Sequence, residues 1–391
     1  MGYDAVIVGA GPAGSSAAIT LARQGWTVAL IERTAFPRRK VCGEFISATN
    51  LALLDRLGIG DAWRAQAGPE IRRVGFFGGD VCTEARMPAK GGFGRALGRD
   101  ILDKLLLDAS RSAGAEIFQP WRAVGMAREG ELHAVTIEAD GQEKVLRAPV
   151  VIAAHGSWEP GKLPSQLDKI NRPSDLLGFK GHFRGASLPA DLMPLLIFPG
   201  GYGGMVFADH GRLSLSCCIR RDTLAAIRAE MASASAAEAV HRHIVETCRG
   251  ARETIGRASL DGPWLAAGPI RPGIRSRYDQ DIFRIGNIAG ESHPIIAEGI
   301  SMAMQSGWLL ADQLLRANGQ TQADRAGVAA RYSVAWRRLF ATRIHAASAF
   351  AQIAIQPASA RAMTAVIRML PATLTLGAAL SGKTKAVPGL A

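Results

Sequence analysis

Tyr3-Asp4-Ala5-Val6-Ile7-Val8 runs into Gly9-Ala10-Gly11-Pro12-Ala13-Gly14, then into the helical pattern Ser15 to Gly25 and the apolar run Thr27 to Ile31, closed by Glu32. Strand, glycine-rich turn, helix, strand and acid in this order form a dinucleotide-binding fingerprint. Gly9 permits the tight turn, Gly11 lets backbone approach a pyrophosphate, and Gly14 lets helix and strand pack closely. N–H groups without partners at the helix start face the phosphates. Glu32, 18 residues after Gly14, is placed to accept from ribose hydroxyls. A glycine-rich turn alone says little in a chain with 44 glycines; strand, helix and acid together carry the reading.

The chain has 391 residues, 48% of them hydrophobic. That is enough for two or three domains, or for one large α/β unit with an inserted domain. Five scattered cysteines give no disulfide framework and suit a reducing compartment. The first strand begins by residue 3, so no secretory leader is expected, and a cytoplasmic protein follows as the expectation. The net charge of +12 comes from 46 basic against 34 acidic residues. Nucleic-acid binding needs a concentrated patch or a motif; the sequence shows neither, and no nucleic-acid partner is expected. The basic residues gather at Arg33 to Lys40, at Arg271 to Arg277 and through the C-terminal helices; a plain surface bias is the default reading, and an anionic membrane surface or an acidic substrate the sharper alternative.

Further along, Ser47 to Leu57 reads as a helix and Ile71 to Phe77 as a strand. Ile101, Leu102, Leu105, Leu106 and Ala109 recur at helical spacing until Gly114. Leu132 to Glu138 and Lys144 to Arg147 form a hairpin pattern about Asp140-Gly141. Val150 to Ala154 is a buried strand, and residues 158–175 read as a linker. Strand-like runs at Leu177–Arg184, Leu195–Phe198, Gly204–Phe207 and Arg212–Ile219 predict a mostly antiparallel inserted sheet. Thr223 to Thr247 reads as one helix and Phe283 to Asn287 as a returning strand. From Ala323 the pattern is helical until a loose tail at Gly382. Thr364 to Leu380 contains Arg368, Pro371 and Gly377 and falls short of the ~20 apolar residues of a spanning helix. His241 and His243 do not share a helix face, and no metal site is expected.

Four separated motifs resemble the FAD-dependent oxidoreductases of the para-hydroxybenzoate hydroxylase superfold, over roughly residues 1–318. They are Gly9 to Gly14 with Glu32; Arg99, Asp103 and Leu106; Ala153-Ala154-His155-Gly156-Ser157; and Gly286-Asn287-Ile288-Ala289-Gly290 followed by His293 to Ile300. The segment Arg39-Lys40-Val41-Cys42-Gly43-Glu44 is similar to one in the geranylgeranyl reductase branch. His155 stands where the hydroxylases carry Asp, Asn287 where the family carries Asp, and Ala297 where it carries Gly. In Phe198-Pro199-Gly200-Gly201-Tyr202 the aromatic order differs from the reductase pattern and its Trp is missing.

The resemblance implies an α/β fold. A discontinuous Rossmann-like FAD-binding domain spans 1–70, 96–157 and 278–318. A mostly antiparallel-sheet substrate domain spans 71–95 and 158–277, and a helical region 319–391. FAD would be bound by Gly9, Gly11, Pro12, Ala13, Gly14, Glu32, Arg33, Arg99, His155, Gly156, Gly286, Asn287, Gly299 and Ile300. The helix from about Ile300 would point its N-terminus at the flavin. Cys42, Phe198, Tyr202 and Val206 would line a cavity for a hydrophobic small molecule, facing inward with Leu195, Ile197 and Phe207. Cys42 and His293 are the candidate catalytic groups. The basic, apolar C-terminal helices would cover that cavity or rest on a membrane. Three functions follow. In the first, reduced FAD passes hydride to an isoprenoid or similar double bond. In the second, NAD(P)H and oxygen drive aromatic monooxygenation. In the third, the chain is a non-catalytic flavin module at a membrane. The electron donor is NAD(P)H or another reductant.

Overall fold

The computed structural model describes residues 2–383 apart from residues 90, 159–160, 169, 232–234 and 318–320. Ala5–Val8 is buried on both faces and sits inside a six-stranded sheet. It pairs in parallel with Val28–Ile31 on one side and Val150–Ala153 on the other. Glu116–Phe118 and Ile282–Arg284 extend the sheet outward, also in parallel, and Tyr278–Asp279 closes one edge antiparallel. Alternate side chains point to opposite faces. Ala5, Ile7, Val28, Leu30, Val150 and Ile152 meet the helices Pro12–Ala22, Arg99–Ser112 and Gly299–Leu315. Val6, Val8, Ala29, Ile31, Val151 and Ala153 meet a three-stranded antiparallel sheet of Arg122–Glu129, Leu132–Ala139 and Gln142–Ala148.

A second sheet of eight strands is built on Leu176–Arg184, Leu213–Arg220, Gly201–Phe207 and Leu192–Phe198, continued by Arg73–Gly78 and Val81–Arg86. Its pairings are antiparallel except for Leu192–Phe198 against Arg73–Gly78. One face packs under helices that include Ala236–Thr247. The other face meets the C-terminal helices through Ile197, Tyr202, Cys218, Ala351, Ile367 and Leu374. The long helix Gln322–Ile355 opens with a capping box on Thr321 and Asp324. Buried Arg325 forks onto Asp281 at 2.9 and 2.7 Å, which ties this helix to the first domain.

Several sequence expectations are corrected. The helix expected over Thr223 to Thr247 is two, Arg221–Glu230 and Ala236–Thr247, the second capped by Ser235 with Glu238. The returning strand ends at Arg284, because Gly286–Ile288 tightens into a 3₁₀ turn on left-handed Gly286. The helix expected from Ser47 begins as a 3₁₀ turn and becomes α-helical only at Leu51. The expected tail lies, from residue 384 on, outside the described residues.

Candidate functional site

The glycine-rich turn is shaped for close approach. Gly9 adopts φ +109°, and a Cβ on Gly14 would lie 1.9 Å from the Gly9 carbonyl oxygen. No side chain caps the helix Pro12–Ala22, so its first N–H groups face the cavity. The Glu32 carboxylate, 4% exposed, accepts from Ala10 N at 3.1 Å and Thr34 N at 3.0 Å. Two backbone donors therefore hold it at the end of its strand, where the ribose reading requires an acid. Arg38 lies 3.4 Å from the same carboxylate.

Arg99 and Asp103 form a bidentate pair one helical turn apart, at 2.7 and 2.8 Å, with Asp103 fully buried. Burial opposes the Arg99 charge, but Asp103 and the Cys42 thiol outweigh it and hold its pKa above the usual value. The guanidinium faces the turn, since a Cβ on Gly11 would meet its Nη2 at 3.9 Å. Arg99 thus reaches both the phosphate cradle and Cys42.

Cys42 is half-buried and lines the cavity. Its carbonyl accepts from Ser216 Oγ at 2.7 Å, and its thiol accepts from Glu44 N at 3.4 Å. Glu44 was not among the sequence candidates. It is 1% exposed, has φ +62°, and is paired with Lys180 and with His182 at 2.9 Å. Burial raises its pKa, yet the His182 hydrogen bond and the Lys180 charge bring it down to about 2. This ionised cluster fastens the Cys42 segment to the second sheet.

His155 is bonded to Ser165 Oγ at 2.8 Å and to the Gly156 carbonyl at 2.9 Å. Asn287 donates to Glu291 at 3.1 Å. Glu291, also missed in the sequence, accepts from Ser157 at 2.8 Å and Trp158 at 2.9 Å, with Arg275 3.6 Å away. Its partners lie on both sides of the inserted sheet in sequence, which hides the cluster from any local pattern. Ala297 is left-handed at φ +53°, and the turn it makes starts the helix Gly299–Leu315 at the cavity wall.

One continuous cavity of about 910 Å³ runs from Gly9, Gly11, Glu32 and Arg99 past Cys42 and Gly299 to the C-terminal helices. Pro12, Ala13, Arg33, His155, Gly156, Gly286, Asn287, Ile300, Tyr202 and Val206 also line it. Gly14 does not; it packs behind the turn. Phe198 is corrected: strand alternation turns it to the opposite face, edge-on to His243 at 5.9 Å, and Phe207 packs in that same cluster. Ile197 packs with Tyr202 and Cys218 on the cavity side without lining it. His293 does not line the cavity either. Its Nδ1 sits 3.1 Å from the hydroxyl of Tyr202, which does, and burial lowers its pKa to about 4.

A glycine cradle, an uncapped helix start, a buried carboxylate held by two backbone N–H groups and an arginine facing the turn make a residue set that fits FAD. A family model described as an FAD binding domain matches residues 2–166. The chain is 35% identical to menaquinone reductase of Mycobacterium tuberculosis over 40% of its own length and 38% of that protein's length. It is 26% identical to digeranylgeranylglycerophospholipid reductase 1 of Methanothermobacter thermautotrophicus, over 83% of this chain and 80% of that one. The solved structure of the myxobacterial chondrochloren halogenase CndH superposes with a TM-score of 0.76 at 19% identity, covering 96% of this chain and 91% of that one. At that identity the likeness is one of fold. The chain carries an FAD-binding domain and is similar, over most of its length, to FAD-dependent oxidoreductases that include geranylgeranyl-reductase-like proteins.

Proposed function

We propose that this oxidoreductase acts on a lipophilic substrate held between the flavin site and the second sheet, in contact with a membrane through its C-terminal helices. The observation that carries this reading is the cavity wall. Beyond the phosphate end it includes Val74, Met193, Leu195, Val206, Phe350 and Leu374, with uncharged Tyr202 among them. Such a surface binds by excluding water from apolar groups.

Bound FAD would supply two-electron chemistry. The chain's part is to place it. The glycine turn and Arg99 would hold the phosphates, Glu32 the ribose, and the start of the helix Gly299–Leu315 would direct N–H groups at the flavin end. Tyr202 is a group at the wall, with Cys42, that can give or accept a proton. Burial, then neighbouring Cys218, keeps its phenol protonated, and His293 behind it is neutral above about pH 4.

Two reactions fit this arrangement. Hydride transfer to an isoprenoid-type double bond is supported by the similarity to the digeranylgeranylglycerophospholipid reductase over most of both chains. Oxygen-dependent attack on an aromatic ring is supported by the shared architecture with flavin-dependent halogenases and with a probable FAD-dependent monooxygenase, which recur among the solved structures. Product mass decides between them. The FAD-loaded protein is supplied with a reductant and with isoprenoid or phenolic lipids, with and without isotopically labelled oxygen. A product richer by two hydrogens without oxygen supports reduction. A product carrying one labelled oxygen atom supports monooxygenation. Conversion of neither class overturns the lipophilic-substrate reading.

A further inference from the structure

We propose that the mouth of the cavity is itself the membrane-contacting surface, so that substrate enters directly from an anionic bilayer leaflet. This rests on the reading of a lipophilic substrate and deepens it by fixing which surface meets the lipid.

Pro357–Met369 and Ala372–Gly382 meet at 114° and lie across the cavity. Their inner side chains, Ile367 and Leu374, are buried against the second sheet. Their outer ones are not: Met369 is 71% exposed, Leu370 59%, Leu376 60% and Leu380 66%. With Ile353 and Val366 these make six of the ten exposed large hydrophobic residues among those described, all within 28 positions of a 391-residue chain. Ile353, Val366 and Leu380 are both exposed and part of the cavity lining. The apolar patch and the cavity rim are therefore one surface, and an apolar patch of this kind marks a place of contact.

Charge selects the partner. After Asp324 the sequence contains no Asp or Glu, yet it holds nine Lys and Arg. Arg361 and Arg368, seven residues apart, are exposed on one stripe of a helix that also exposes Val366 and Met369. Exposed apolar side chains on a segment whose own charges are all cations match acyl chains beneath anionic headgroups. A spanning arrangement does not fit. The two helices are ~20 and ~16 Å long at 1.5 Å per residue, and sharply bent relative to each other, against a ~30 Å hydrocarbon core. No single helix among the described residues is long and apolar enough to cross. The pair is built to lie in the headgroup boundary with the cavity open towards the lipid.

The test is flotation of the full-length FAD-loaded protein with phosphatidylcholine vesicles, with and without phosphatidylglycerol. The yellow chromophore reports where the protein is and that it is folded. Wild type should float with the anionic vesicles. The triple variant Met369→Ser, Leu370→Ser, Leu376→Ser should bind at least tenfold more weakly. The pair Arg361→Gln and Arg368→Gln should lose roughly fivefold for each arginine and shed part of the salt dependence. Wild type that stays unbound, or apolar variants that float as well as wild type, would overturn the proposal. Self-association of wild type in place of flotation would overturn it in favour of a second copy on the lip. Flotation needs no turnover. A protein that floats but converts no lipophile overturns the reaction reading alone. One that converts detergent-dispersed lipophile but never floats overturns this inference and the membrane contact, and leaves the lipophilic-substrate reading standing.

Discussion

The hydroxyl of Tyr202 and Nδ1 of His293 lie 3.1 Å apart, 91 positions apart in sequence, and only the tyrosine reaches the cavity wall. The pair makes His293 the second member of a two-residue unit. Its ring is 8% exposed, and burial lowers its pKa from 6.5 to about 4. In the unfolded chain the imidazole takes a proton below about 6.5; in the folded chain it does so only near 4. The unfolded state therefore binds more protons in that window, and stability rises with pH across it. His293→Gln should remove up to about 3 kcal/mol of that slope, read from chemical denaturation between pH 4 and 6.5. An unchanged slope would place the titration elsewhere.

Glu44 gives a dependence of the same sign in a more acidic window. Its folded pKa of about 2 lies below the usual 4.5, so its contribution is present above about 4.5 and fades as pH falls towards 2. Lys180→Met takes the charge partner from the buried carboxylate, leaving it His182 and the Arg99 backbone N–H, and should cost about 3 kcal/mol at neutral pH. Glu44→Gln should flatten the acid limb of the stability profile. A Lys180→Met protein as stable as wild type would mean that the cluster is not ionised.

Arg99 and Asp103 separate folding from cofactor binding. Arg99→Met strands a fully buried carboxylate and should lower both stability, by about 3 kcal/mol, and FAD affinity. Adding Asp103→Leu should restore most of the stability but none of the affinity, because the guanidinium over the phosphates is still missing. Melting curves and flavin-fluorescence titration read the two effects separately. If affinity returns along with stability, Arg99 acts only through the fold.

Gly14→Ala should abolish FAD retention, because its new methyl meets a backbone oxygen that cannot turn aside. Gly327→Ala is the contrast. That position lies inside the helix Gln322–Ile355, where a Cβ would meet only the Arg331 side chain at 3.5 Å. It should leave the flavin spectrum unchanged and stabilise the protein by about 0.5–1 kcal/mol.

What could be read from the sequence follows the distance over which each feature is encoded. The turn from Gly9 to Gly14 and its acid at Glu32 lie within one strand–helix–strand unit, so glycines and hydrophobic periodicity place them before any fold is known. The block from Gly286 to Gly299 is similarly local. Glu44 was visible as a residue, but its partners Lys180 and His182 are 136 and 138 positions away. Glu291 gathers Ser157 and Trp158 across more than 130 positions. Phe198 was misplaced because neighbouring apolar residues in a strand buried on both faces give no cue to which face meets the cavity. The strand Arg122–Glu129 was missed because its solvent-facing half carries little hydrophobic alternation.

The most direct measurement follows the flavin itself. The holoprotein is reduced photochemically without oxygen and mixed with an isoprenoid lipid in vesicles. Hydride transfer predicts that oxidised-flavin absorbance returns without oxygen, with one double bond saturated for each flavin oxidised. A flavin that stays reduced until oxygen is admitted, and then yields an oxygenated lipid, would contradict reduction and assign the site to oxygen chemistry.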